Sequence, residues 1–282
     1  MGHDMKAGRM KIGLMACALG LSAAAGAQAA SEVELKNMAA RVVVIPENRS
    51  DVKLSVAYGK ADLPKIMISD RGNTLVASGQ INKRDLNCAA GQSVRIRGKG
   101  SYALSDLPVV TIRVPMKARI ESQGALFGRI GAAKSLEFAL GGCGDWTIES
   151  VADKAELSIG GSGTLRTGDL GDADVAVGGS GDVYTGKVQK LSGAIGGSGS
   201  ITVAEVAGPV DIAIGGSGDV RINGGYAPKM DISIAGAGNV RFGGEAGDVD
   251  LSVVGSGDIT LRKVNGHVSK NVMGSGNIKI GQ

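Results

Sequence analysis

Ile214-Gly215-Gly216-Ser217-Gly218-Asp219-Val220 is one copy of a heptad-like run that the chain writes again and again. It recurs as Leu140-Gly-Gly-Cys143-Gly-Asp-Trp146, Ile159-Gly-Gly-Ser162-Gly-Thr-Leu165, Val177-Gly-Gly-Ser180-Gly-Asp-Val183 and Ile195-Gly-Gly-Ser198-Gly-Ser-Ile201. Downstream come Ile234-Ala-Gly-Ala237-Gly-Asn-Val240, Val253-Val-Gly-Ser256-Gly-Asp-Ile259 and Val272-Met-Gly-Ser275-Gly-Asn-Ile278. A weaker copy, Ile120-Glu-Ser-Gln123-Gly-Ala-Leu126, keeps the register upstream, so nine copies follow one another at steps of 18 to 20 residues. A period this regular is the mark of stacked repeats.

Apolar residues alternate on both sides of each run. Val210, Ile212 and Ile214 before it, and Val220 and Ile222 after it, point one way, while Asp211, Ala213 and Arg221 point the other. That is the pattern of strands with one buried face. The glycines are expected to turn the chain at positive φ, where a Cβ would clash. About 19 residues cannot bury their own apolar face, so the units must stack. The expected fold is all-β: a parallel β-helix, or β-solenoid, rising ~4.8 Å per rung.

Stacking turns equivalent positions into columns. One inward column reads Trp146, Leu165, Val183, Ile201, Val220, Val240, Ile259, Ile278. The position after the last turn glycine reads Asp145, Thr164, Asp182, Ser200, Asp219, Asn239, Asp258, Asn277, acid alternating with neutral. Carboxylates ~5 Å apart in water repel by about 0.8 kcal/mol, so alternation relieves the stack.

Residues 1–29 read as a secretory signal peptide. Lys6, Arg9 and Lys11 precede the apolar stretch Ile12 to Ala25, and Ala27-Gln28-Ala29 supplies a small-x-small cleavage site. No later segment is long and apolar enough to span a membrane as a helix. The leader holds three of the 31 basic residues and one of the 27 acidic ones, which leaves the remainder near neutral and without the charge of a nucleic-acid binder. Residues 30–119 form an irregular N-terminal part with strands such as Arg41 to Pro46 and Val109 to Val114, and 120–282 form the regular repeats. Asn82 to Gly100 reads as an insertion loop made basic by Lys83, Arg84, Arg95, Arg97 and Lys99, a solvated loop or a patch for an anionic partner.

The segments Arg41-Val-Val-Val-Ile-Pro46 and Val109-Val-Thr-Ile-Arg-Val-Pro115, followed by the Gly-Ser-Gly-[Asp/Asn]-[Val/Ile] repeats, resemble the GIN-domain family. These are exported bacterial β-solenoid proteins described as auto-transporter adhesin heads. The resemblance spans Ser31 to Gln282 and implies an adhesin-like or structural role, with no catalytic residues to carry over.

The Gly-Gly-Ser-Gly-Asp runs depart from the calcium nonapeptide, since the period is too long and the Asp falls one place early. A second outward column is more acidic: Glu137, Glu156, Asp174, Ser192, Asp211, Asp231, Asp250, Ser269. Beside it lies a small column of Ala139, Ser158, Ala176, Ala194, Ala213, Ser233, Ser252 and Asn271. The flat acidic face is either a solvated surface or a docking face for a cationic partner. If any metal is held, Ca²⁺ on Glu137 and Glu156 or on Asp211, Asp231 and Asp250 is the candidate; no other cofactor is expected. Arg166, Arg221, Arg241 and Lys279 are expected to line the other strand and pair with Asp182, Asp219 and Asp258.

Enzyme signatures are missing. His267 is the lone histidine after the leader, and no G-x-S-x-G, G-x-G-x-x-G or metal spacing occurs. A polysaccharide-active β-helix enzyme would need clustered acids and aromatic platforms, whereas the single Trp146 is expected to face inward. The reading is therefore an exported, non-enzymatic interaction module of the periplasm, outer membrane or cell surface. Its partner would be an envelope protein or glycan, and the alternative is a scaffold that self-associates through the solenoid ends. Export would take Cys88 and Cys143, the two cysteines beyond the leader, to an oxidising compartment where they can form a disulfide; two separate buried thiols are the alternative.

Overall fold

The computed structural model describes residues 31–89 and 93–281. The expected leader lies outside them. The chain is a β-solenoid. Strand β9 (Lys117–Ile130) makes the first regular coil, and β10 (Ser135–Leu140) with β11 (Asp145–Ile148) makes the next, once the N-terminal strands β1 (Glu32–Glu47), β2 (Lys53–Ala57), β3 (Met67–Arg71), β4 (Thr74–Ser78), β5 (Leu86–Ala89), β6 (Ser93–Ile96), β7 (Gly100–Ala103) and β8 (Val109–Pro115) have been laid down. The coils then run through β12 (Val151–Ile159), β13 (Thr164–Thr167), β14 (Leu170–Val177), β15 (Asp182–Ile195), β16 (Ser200–Val206), β17 (Val210–Ile214) and β18 (Asp219–Ile222). They end with β19 (Tyr226–Gly236), β20 (Val240–Gly255), β21 (Asp258–Val264), β22 (Val268–Gly274) and β23 (Asn277–Ile280).

Each coil pairs in parallel with the next at the register the repeat dictates: Ile212 lies against Ile232 and Ile232 against Leu251, while Val220 lies against Val240 and Val240 against Ile259. A short third side, with Val151, Leu170, Val188 and Val206 stacked and buried, closes the coil. Inward residues fill a continuous core along the whole stack. Its largest members meet near the N-terminal coils, where the rings of Phe138 and Trp146 lie 4.8 Å apart. A Cβ on Gly128, one coil above, would come within 2.3 Å of the indole, so the small residue makes room for the large one.

The corner glycines serve a different purpose from the one expected. Among them only Gly144, Gly255 and Gly274 have positive φ. Two glycine columns are instead forced by close approach of the coil before. A Cβ on Gly161, Gly179, Gly197 or Gly216 would lie 1.9 to 2.2 Å from a carbonyl oxygen of the preceding corner. A Cβ on Gly181, Gly199 or Gly218 would lie 2.0 to 2.5 Å from one. The first glycine of each pair faces open space: Gly160 and Gly196 have nothing within 4 Å.

The N-terminal part departs from sequence order. β1 bends like a coil and stacks directly on β9, Val33 against Ile120 and Val42 against Gly128. β4 and β8 together form the layer above β1, each parallel to it. β3 and β2 lie outermost and antiparallel, on β4 and β8 respectively. The 82–100 stretch, expected as a loop, carries a 3-10 turn at Lys83–Asp85 and most of a three-stranded antiparallel sheet, β5-β6-β7. Val94 and Ile96 alternate inward on β6 and bury a second small core with Ala39, Ala125 and Phe127. This apolar face, hidden among basic residues, is why the insertion folds.

Candidate interaction surfaces

Register brings the outward columns together residue by residue. Glu137 lies against Glu156, Glu156 against Asp174, Asp211 against Asp231, and Asp231 against Asp250. The small column is equally continuous, with Ala213, Ser233 and Ser252 in consecutive coils. The acidic column is not uniform, however. Arg119, which continues the same column upward, contacts Glu137 at 3.0 Å and Glu121 at 3.2 Å. Lys154 bridges Glu156 and Asp174. Hydrogen bonding to Glu121 and the charge of Glu137 raise the Arg119 pKa; hydrogen bonds to Glu156 and then Asp174 raise that of Lys154. Each carboxylate of the upper half of the column thus has a cationic partner. Asp211, Asp231 and Asp250 are exposed, and none has an ion-pair partner among the described residues. Nor do any three or more His, Cys, Asp or Glu side chains among the described residues group closely enough to hold a metal ion.

The alternating column is a hydrogen-bonded ladder. Ser200 Oγ donates to Asp182 Oδ1 at 2.6 Å, and both the backbone N–H and Nδ2 of Asn239 donate to Asp219 Oδ1 at 2.9 Å. Asp258 N donates to Asn239 Oδ1 at 3.1 Å, and Asn277 N to Asp258 Oδ1 at 3.0 Å. An ionised carboxylate only accepts, so a neutral neighbour able to donate extends the chain as well as relieving repulsion. The ion pairs expected between Asp182, Asp219 or Asp258 and the basic column are absent among the described residues. Those carboxylates are already engaged within their own column. Arg166 instead stacks over the Tyr184 ring at 5.1 Å.

The structure joins Cys88 on β5 to Cys143 in the first strong corner, with a Cα–Cα distance of 5.9 Å. The bridge ties the small sheet to the solenoid beside a groove of about 470 Å³. Corner glycines line the groove together with Ser162 and Ser180, and the insertion contributes Lys83 and Leu86. Sequence reading missed this groove because part of its lining comes from the insertion. It also missed a clamp after β1, where Arg49 holds Glu47 at 2.7 Å and Asp51 at 2.8 Å while Arg113 reaches Glu47 at 2.9 Å. The Arg49 hydrogen bond comes first in lowering both the Glu47 and the Asp51 pKa. His267 is exposed in a turn, and its backbone N–H donates to Asp248.

These features define a β-solenoid that offers elongated surfaces built from repeated side chains. Residues 206–282, in the C-terminal coils, match the family described as "Putative auto-transporter adhesin, head GIN domain". Among solved structures, the chain is similar to a "putative adhesin" from Parabacteroides distasonis ATCC 8503, at 17% identity and TM-score 0.55, covering 89% of this chain and 92% of that one. A "Putative lipid binding protein" from the same organism is similar at 19% identity and TM-score 0.51, covering 90% of this chain and 94% of that one. At such identities the likeness is one of fold. Nothing among curated proteins matches the sequence. No helix among the described residues is long and apolar enough to cross a membrane.

Proposed function

We propose that this protein is an exported, non-enzymatic, adhesin-like interaction module of the bacterial envelope. Its working surface is the lower acidic strip, which docks a cationic protein or glycan. The observation that carries this reading is the contrast within one column. Arg119 and Lys154 pair with the upper carboxylates, while Asp211, Asp231 and Asp250 stand exposed, with no ion-pair partner among the described residues, beside Ala213, Ser233 and Ser252. Side chains this small let a partner backbone or sugar approach the strip closely. The match of residues 206–282, which include all three aspartates, to an adhesin-head family supports the same conclusion. Export rests on the leader at 1–29, and places the protein in the periplasm or at the outer surface.

The binding is collective and exposed, so salt should screen it. The Debye length falls from about 30 Å at 0.01 M to about 3 Å at 1 M. The test measures binding of an oligolysine peptide and of a deacetylated amino-sugar oligomer to the wild type and to the combined Asp211→Asn, Asp231→Asn, Asp250→Asn variant. Wild-type binding at low salt that disappears at high salt and in the variant is expected. Equal binding by both proteins, or by neither, refutes the docking role of the strip.

A further inference from the structure

The two ends of the solenoid are complementary. The inward column that holds Leu75, Val33, Ile120, Phe138 and Leu157 continues through Ile212, Ile232 and Leu251. At the N-terminal edge the next position is Asp70, paired with Leu75; at the C-terminal edge it is Lys270, paired with Leu251. Opposite charges thus close the same column. The neighbouring column ends in Ile68 above and Val272 below. On the second face, the columns end in Val56 and Leu54 above, and in Ile278 and Ile280 below. Among the described residues, no strand pairs with the outer edges of β3, β2, β22 or β23. Ile68 at 47% and Val272 at 42% are left exposed, while Leu54, Val56, Ile278 and Ile280 are half-buried against the end of the core.

We infer that copies of this chain stack head to tail, β22 and β23 of one adding to β3 and β2 of the next. Straight continuation of the columns sets Lys270 against Asp70, Val272 against Ile68, Ile278 against Val56 and Ile280 against Leu54. β3 and β2 run antiparallel to the strands they cover, so the added pairing is antiparallel, a form of strand addition to an open edge. Ile66, between β2 and β3 in the chain, is buried in the main core and is not available to a second copy. The joint is therefore made by edges and their inward side chains. A single inward charge on an edge strand is a common guard against pairing, and either sign would serve that purpose. Opposite signs at the two ends of one column do more. They repel like ends, Lys270 from Lys270 and Asp70 from Asp70, and admit unlike ones. Contact of unlike ends does not close on itself, so it yields open filaments.

The test follows mass against concentration by sedimentation velocity for the purified full chain at low salt. The wild type should grow in mass with concentration. Lys270→Glu alone and Asp70→Lys alone should each stay monomeric, with association weakened at least about thirtyfold, as when one partner of a buried charge pair is removed. Both residues are exposed at edges, so melting temperatures should match the wild type and exclude misfolding. Mixing the two variants restores opposite charges at every joint, and the mixture should assemble. A monomeric wild type overturns the inference, as do single variants that assemble as well as the wild type or a mixture that fails to assemble.

Discussion

Gly197→Ala should damage the fold far more than Gly196→Ala in the same corner. A Cβ at 197 would sit 2.0 Å from the Gly179 oxygen, whereas at 196 nothing lies within 4 Å. Ordinary contact begins near 3.4 Å, so the coil would have to retreat by more than an ångström at that point. The Gly179 oxygen accepts hydrogen bonds from Ser198 N at 3.1 Å and Gly199 N at 3.2 Å, and that retreat breaks both. Losing two backbone bonds at about 1 kcal/mol each, with about 1 kcal/mol of residual overlap, gives ~3 kcal/mol. For a chain of this size that lowers the melting temperature by roughly 6–12 °C. Gly196→Ala meets no obstacle and loses unfolded-chain entropy, so it should be neutral or stabilising by about 0.4–1 kcal/mol. Thermal melts followed by far-UV circular dichroism compare the two. If they shift the midpoint equally, the glycine columns are not set by approach between coils.

Cys143→Ser opens a bridge of sequence separation 55 and should cost about 4 kcal/mol through restored loop entropy. Chemical melts with and without reductant measure it, and two free thiols titrated in unfolded, non-reduced protein would contradict the bridge. Asn239→Asp sets a carboxylate between Asp219 and Asp258 and removes the Nδ2 donor. It should destabilise by about 2 kcal/mol at low salt, from two repulsions of about 0.8 kcal/mol and the lost donor, and recover in high salt. The clamp after β1 sets an acid limit: the Glu47 and Asp51 pKa values are depressed from 4.5 and 3.8, so its contribution is complete above those values and is lost as pH falls below them. Hydrogen exchange of the segment between β1 and β2 should rise selectively on acidification, and Arg49→Met should remove that dependence.

The sequence alone determined the regular solenoid, because its period is local. Once runs 18 to 20 residues apart stack, every residue's column follows by counting, and Trp146, Asp211 and Ala213 fall where the count puts them. The cationic Arg119 was within reach of the same count, one period above Glu137, and Lys154 lies two residues before Glu156 on the same outward side. The tertiary structure decided what the period does not reach. β1 meets β9 across an interval of irregular chain, so no repeat length announces that Val33 lies on Ile120. The insertion folds because Val94 and Ile96 find Ala125 and Phe127, a partnership between distant segments. The corner glycines carry the same lesson. Composition showed that a Cβ was unwelcome, but only the spacing between coils revealed the preceding carbonyl, not the backbone angle, as the obstacle at Gly197. Local patterns fix which way a side chain points; which atoms it meets depends on where distant backbone comes to rest.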